Sequence, residues 1–548
     1  MQTPSWCRLL TQTPYSRLFF YAQRSQIVSG HLNIPNISFT GLTESPAQPL
    51  FDVKFYPWPT EQDEQVFAVC GEKDIFVCRL QLGADPPFDI LRWFKVPNPS
   101  HAYNTIVWTQ DPITQSPQLA FAGASPKQVQ FYDIESDTPL DHRALSGHGK
   151  GINDMAVSPI SPNLIATASE DYTIRLWNMD PSFTNQPCVA LFAGEGHRQP
   201  ILACSFHPNG KWLLSSGLDT AICLWAVPSP SELLSRESST SFSSSETPID
   251  PPKVIYYPHF HSTEIHANYI DNAVFYGDLI LSRAALDQNA RKAENIIMLW
   301  KIEGFDSDAP APSEPPIPGP GISTRSAFPH TERSRGFQRL MTFDMPHTGR
   351  FYLRFGLLHQ PDMRPLLAMG NDKSRFCFWD LQKLEEGYEA GEEERRRTMA
   401  AGAGRKRSGR GRGTGGMVRK KGVAQPVSKV NLDRLSELRR EQGVEFGAEG
   451  SSSGGGGGEG RSSTTTTTTG DTPEPSGTSV SVAPERKYQL GHSFEPLAPH
   501  HQITANTALS PSNHFATTQI DWSPDGCWMV AVGDHGMVCI FHRDKSVV

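Results

Sequence analysis

The 548-residue chain carries none of the short signatures that mark common enzyme classes. It has no His-Glu-x-x-His zinc helix, no Gly-x-Ser-x-Gly elbow, no phosphate-binding Gly-Lys-Ser/Thr loop and no dinucleotide fingerprint. Its glycine run, SSSGGGGGEG, follows no strand pattern and precedes no helix pattern. Cysteine is sparse: nine residues, at 7, 70, 78, 188, 204, 223, 377, 527 and 539, odd in number and never spaced Cys-x-x-Cys. That argues against a zinc module and a secreted disulfide frame, and predicts a reducing compartment. No window approaches the roughly 18–20 apolar residues of a membrane helix. The longest apolar stretch near the N-terminus, Leu18 to Ala22, is too short for a secretory signal, so a soluble protein is expected. Net positive charge is missing too: 58 Asp and Glu outnumber 50 Lys and Arg, giving −8, so any affinity for nucleic acid has to be local. Hydrophobic residues make up only 37%, which predicts that part of the chain is unpacked. Neither a metal nor a cofactor is expected.

What the chain does have is repetition. GHGKGINDMAVSPISPNLIATASEDYTIRLWNM (147–179) and GHRQPILACSFHPNGKWLLSSGLDTAICLWAV (196–227) share one order: Gly-His, apolar strand, polar turn, strand ending in small residues, Asp turn, strand ending in Trp. Trp177 and Trp225 lie 48 residues apart. This is the WD40 pattern, one four-stranded propeller blade per repeat. Weaker copies occupy 51–80, 103–134, 265–302, 351–381 and 517–544, making seven blades, a number that closes a ring. In TIRLWN, Ile174 and Leu176 alternate with Arg175 and Trp177, as a strand requires. The fold class is therefore all-β, a seven-bladed WD40 β-propeller with long disordered insertions. His148, Ser169, Asp171 and Trp177, matched by His197, Ser215, Asp219 and Trp225, could suggest a catalytic triad. Their recurrence from blade to blade points instead to a structural hydrogen-bond network.

The organisation expected is an N-terminal extension (1–34), blades 1–6 (35–384), a long insertion (385–496) and a last blade (497–548). The last blade lacks an outer strand, and the segment near 36–40 is the expected donor, since pairing the chain ends removes an exposed edge. Serine- and proline-rich stretches at 229–252 and 306–335 are expected as disordered surface insertions, with a short charged bulge at 287–294. The 385–496 insertion begins acidic and then turns basic: eleven Arg and Lys and no Asp or Glu between Arg395 and Lys421. Arg405, Lys406, Arg407, Arg410, Arg412, Arg419, Lys420 and Lys421 suit a nuclear-import signal or a sequence-independent contact with DNA or RNA phosphates. A solvated loop is the plainer alternative.

Beyond generic WD40 features, several segments are particular. IHANYIDNAVFYGDLILSRA (265–284), QPLFDVKF (48–55), FAGEGHR (192–198) and FYLRF (351–355), the last followed by LLAMGN and FCFWDL, resemble the embryonic ectoderm development (EED/ESC) family, the WD40 subunit of Polycomb repressive complex 2. The likeness spans about 35–384 and 497–544. It implies a nuclear, non-catalytic chromatin scaffold and reader. It implies partners too: a helix from an Enhancer of zeste-type SET-domain methyltransferase held in a groove on one face, other subunits of that complex, and a trimethylated histone H3 tail held in an aromatic cage at the opposite end of the channel. The resemblance further implies that filling the cage stimulates the methyltransferase.

Carried over residue by residue, the resemblance places the cage at Phe51, Tyr103, Phe351 and Tyr352, with Arg354 at its rim. Aromatic faces suit this ligand because a trimethylammonium has no N–H to donate, while ring faces attract its diffuse charge. Two departures stand out. Phe351 occupies a position where the family usually has Trp. Tyr103 is one residue farther from Trp108 than the family spacing, so the alternative at that wall is Asn104. The rival readings are an enzyme, a ubiquitin-ligase substrate receptor and a nucleic-acid scaffold. The second usually has Arg two residues after its Trp-Asp pair; here Trp379-Asp380 is followed by Leu381-Gln382.

Overall fold

The computed structural model describes residues 19–21, 49–60, 64–82, 87–95, 98, 100–229, 231–232, 251–285, 295–331, 333–382, 384, 496–504 and 514–543. Within these the regular secondary structure is almost wholly strand, arranged as seven mainly antiparallel sheets in chain order. Each is a blade whose first strand is innermost, and the innermost strands of adjacent blades lie side by side around a central channel.

Period-2 alternation explains why the blades stack. A middle strand buries both of its faces, one toward each neighbouring blade. In Val66–Gly71 of blade 1, Phe67 and Val69 pack toward blade 7, while Ala68 and Cys70 pack toward blade 2. Ile174 and Leu176 likewise enter the seam between blades 3 and 4, and Trp177 the seam between blades 2 and 3. The core is accordingly divided into seven apolar clusters, one for each blade interface, including the interface between blades 7 and 1 that closes the ring. Of the nine cysteines, the eight that fall among described residues are buried free thiols, used as small apolar side chains.

Ring closure uses the N-terminal part of the chain. Phe19–Tyr21 pairs antiparallel with Val538–His542, the third strand of blade 7. The segment expected to do this, near 36–40, lies outside the described residues. A second boundary also moves. His501–Thr504 is the outer strand of blade 6, paired with Arg375–Asp380, so the long insertion interrupts blade 6 before its last strand. Residues 385–495, with the basic run, lie outside the described residues, as do 233–250 and 286–294.

The 306–335 stretch is ordered over most of its length, contrary to the expectation of disorder. Thr324–Ser326 adds a fifth strand to blade 4. Phe328 is buried, its ring centroid 5.7 Å from that of Trp212, and the Ser307 carbonyl accepts Trp212 Nε1 at 3.3 Å. Proline-rich composition signals a lack of helix and ladder bonding, but proline also restricts the backbone, and two anchors, Phe305 and Phe328, suffice to dock the loop. On blade 3, Lys253–Ile255 similarly adds a fifth strand, parallel to Cys188–Phe192.

Candidate functional site at the channel mouth

The innermost strands share a feature that builds the site. In six blades the register against the second strand slips near the start of the strand, leaving one residue unpaired as a β-bulge: Phe51, Asn104, Asn153, Leu202, Asp271 and Thr518. In blade 6 the pairing of Gly356 with Ala368, counted back on the same pattern, puts Arg354 at the equivalent place. These seven residues stand at equivalent positions, one per blade, at one end of the channel.

Carboxylates one residue past the bulges of blades 1 and 3, and three past that of blade 7, tie blade to blade. Asp52 accepts the Ile106 N–H at 3.0 Å, Asp154 accepts that of Cys204 at 2.9 Å, and Asp521 accepts that of Phe55 at 2.6 Å. Among these carboxylates lie two cations. Lys54 Nζ is 3.7 Å from Asp52, and Arg354 reaches across the channel to Asp154 at 2.8 Å and to the Leu202 carbonyl at 2.8 Å. Burial raises the pKa of Asp521 to about 6, against the opposing pull of Lys54 and the Phe55 amide. Burial also raises that of Asp52, against Lys54 and Arg354. For Arg354, burial works against the charge, but Asp154, Tyr352 and Asp52 outweigh it and hold the guanidinium above its ordinary value.

Above this layer, residues 346–352 deliver two aromatic rings. Phe351 and Tyr352 are half-buried and meet edge to face, centroids 4.5 Å apart at 90°. Tyr352 has φ +62° in the left-handed region, rare for a residue with a side chain. Its amide donates to Asp271 at 2.8 Å, its hydroxyl lies 3.4 Å from the Asn153 carbonyl of blade 3, and the Arg354 guanidinium lies 5.2 Å from its ring centroid. Phe51 is half-buried at the bulge of blade 1. The structure thus brings Phe351, Tyr352 and Arg354 into one cluster and gives Phe51 an equivalent position at the mouth.

Tyr103 does not belong to this set. It is 1% exposed, packed edge to face on Phe121 at 4.9 Å in the seam between blades 1 and 2, with its hydroxyl bonded to Gln130. The physical reason is the bulge: Asn104, not Tyr103, is the unpaired residue of blade 2, so the mouth position falls to Asn104 and Tyr103 turns into the seam.

The structural networks form largely where the repeats place them. In blade 4, His197 lies 3.1 Å from Asp219 and 2.9 Å from Ser215 Oγ, which also accepts Trp225 Nε1 at 2.9 Å. In blade 3 the hydroxyl is that of Thr167, 2.7 Å from His148 and 2.9 Å from Trp177 Nε1. Ser169 instead donates to the Gly151 carbonyl at 2.8 Å. The spacing carried this information, since Thr167 and Ser215 both stand ten residues before their tryptophans. A third network, His266–Ser282–Trp300 in blade 5, breaks the ten-residue spacing because the 286–294 stretch lengthens the interval. A hydroxyl held between an imidazole and an indole N–H in successive blades has a bonding role, not a reacting one. Among the described residues no group of three or more His, Cys, Asp or Glu could hold a metal ion.

Comparison with known proteins agrees with this architecture. Residues 141–178, 187–226 and 508–542 match the family of the WD domain, G-beta repeat. The chain is 34% identical to the Polycomb protein EED of Chaetomium thermophilum over 546 residues, covering 90% of both chains. It is 27% identical to the Polycomb protein esc of Drosophila melanogaster over 350 residues, 62% of this chain and 72% of that one. The structure resembles a chain of the crystal structure of the Chaetomium thermophilum Polycomb repressive complex 2 with a TM-score of 0.63 at 30% identity, covering 91% of this chain and 94% of that one. It resembles equally a chain of that complex solved with H3K27me3, with a TM-score of 0.63 at 31% identity over 90% and 94%. With this identity over nearly its whole length, the chain belongs to the EED family of Polycomb proteins, the non-catalytic WD40 subunits of Polycomb repressive complex 2.

Proposed function

We propose that this chain is the EED-type scaffold and reader of a nuclear histone H3 lysine methyltransferase of the Polycomb repressive complex 2 type. Its channel mouth binds trimethyl-lysine, and binding there stimulates the catalytic subunit, an Enhancer of zeste-type SET-domain protein gripped on the opposite face. The observation that carries this reading is the Phe351–Tyr352 pair, held edge to face over a ring of bulge residues that includes Phe51. The ring faces supply the attraction, about 0.5–2 kcal/mol for each well-placed ring. The carboxylates of Asp52, Asp154, Asp271 and Asp521 outnumber the cations Lys54, Arg283 and Arg354 in the layer beneath, so the local field also favours a cation.

This cage has three aromatic walls and one amide, Asn104, and it has Phe351 where the family usually has Trp. Modest affinity and clear dependence on methylation are therefore expected. The test is calorimetric titration of the full chain with histone H3 tail peptides, trimethylated and unmethylated. Methyl-dependent heat that vanishes in Tyr352→Ala supports the reading. A folded chain that binds neither peptide leaves the protein as a scaffold alone. The basic segment Arg395–Lys421 adds sequence-independent contact with nucleic-acid phosphates in this proposal. Deleting it removes salt-sensitive DNA binding and leaves peptide binding unchanged.

A further inference from the structure

Residues 346–352 carry both rings of the mouth, yet their backbone is not self-supporting. His347 at φ +65° and Tyr352 at φ +62° both occupy the left-handed region, which costs a side-chain-bearing residue energy that its surroundings have to supply. Blade 6 holds the start of the stretch and blade 7 the Arg350 side chain. Asn371 Nδ2 donates to the Pro346 carbonyl at 3.1 Å, the Asp372 N–H donates to that of His347 at 3.1 Å, and Arg350 pairs with Asp534 at 2.7 Å.

Its backbone from Thr348 to Tyr352 is held by two fully buried charges from blade 5. The Asp271 side chain is 0% exposed and that of Arg283 1%, paired at 2.5–2.7 Å. Their remaining bonds converge on alternate residues of the stretch. Arg283 Nη2 donates to the carbonyl of Thr348 and, at 2.7 Å, to that of Arg350. Asp271 accepts the N–H of Tyr352. Burying an ion pair is a poor way to gain stability, because desolvation offsets most of the attraction. Its directional bonds are what an apolar pair could not supply.

We propose that Asp271 and Arg283 are positioning residues that set the place of residues 346–352, so that affinity for a methyl-lysine peptide runs through them although neither touches the ligand. This rests on the reading of the mouth given above.

The experiment uses the full chain and the variants Asp271→Asn, Arg283→Met and Arg283→Lys, each checked for cooperative unfolding. Amide hydrogen exchange reads the Tyr352 N–H directly. Exchange across 346–352 at least tenfold faster in Arg283→Met, with blades 1–4 unchanged, is the expected result, and partial recovery is expected in Arg283→Lys. If Arg283→Met fails to fold, the near-isosteric Asp271→Asn carries the test.

Titration with the trimethylated H3 peptide then places the effect. About tenfold weaker binding is expected, non-additive with Tyr352→Ala and additive with Phe51→Ala, which lies on another blade. Unchanged exchange, or additivity with both ring variants, overturns the proposal. A wild-type chain that binds no peptide overturns the reading of the mouth instead, and the exchange measurement still decides whether the pair holds the stretch.

Discussion

Blades 4 and 6 are built on one plan and do different things with it. In blade 4 every distinctive polar residue is turned inward: His197, Asp219, Ser215 and Trp225 bond to one another, and the bulge residue at the mouth is an unreactive leucine, Leu202. Blade 6 has given up that regularity. Its entry carries a left-handed tyrosine, an arginine that leaves its own blade to pair with Asp154 of blade 3, and an outer strand that returns only after the long insertion. The contrast teaches that residues recurring from blade to blade hold the ring together, whereas those occurring once and reaching across the channel are candidates for recognition.

The comparison can be broken first from the structural side. Ser215→Ala orphans His197 Nε2 and Trp225 Nε1 together. We expect a loss of about 2–4 kcal/mol in stability, read as a fall in the denaturant midpoint, with peptide affinity unaltered. The converse is expected of Tyr352→Ala: about 30-fold weaker binding of the trimethylated peptide by calorimetry, with the denaturant midpoint little changed. Were either variant to lose stability and binding together, the division between the two blades would fail.

Phe351→Trp sharpens the comparison. It enlarges the ring at the mouth and should tighten binding severalfold without altering the preference for the trimethylated peptide. The smallest effect concerns the layer beneath. Asp521, lifted by burial to about 6 from an ordinary 3.8, holds its proton in the folded chain at pH values where the unfolded chain has lost it. Its contribution is thus fully present below about pH 4 and is lost as pH rises through about 6. The difference in unfolding free energy between wild type and Asp521→Asn, followed from pH 4 to 8, should move in that direction. A flat difference would place Asp521 outside the buried charge layer.

The propeller was readable because its physics is periodic. Alternation in TIRLWN assigned Ile174 and Trp177 to opposite seams, and five weaker copies of the same strand order brought the blade count to seven. Three things escaped for physical reasons. A β-bulge has no composition of its own, so the one-residue difference between Tyr103 and Asn104 was settled only by the register of their strand. A proline-rich stretch looks unpackable until Phe328 within it and Phe305 just before it meet a neighbouring Trp212. The exchange of Ser169 for Thr167 arose because two hydroxyls two residues apart on one strand share a face, and only the ten-residue spacing to Trp177 separates them in sequence. The candidate site was half legible: Phe351, Tyr352 and Arg354 came from the family resemblance, whereas Asp271 and Arg283 came from hydrogen bonds across 65 or more residues of chain.

The most direct test of the central claim asks whether the mouth recognises charge through ring faces. Two H3 peptides would be titrated into the full chain, one bearing trimethyl-lysine and the other its neutral carbon isostere, identical in shape and lacking only the positive charge. With three rings engaged, the account predicts at least tenfold tighter binding of the charged peptide. Equal affinity for the two would contradict it and reduce the mouth to a hydrophobic recess.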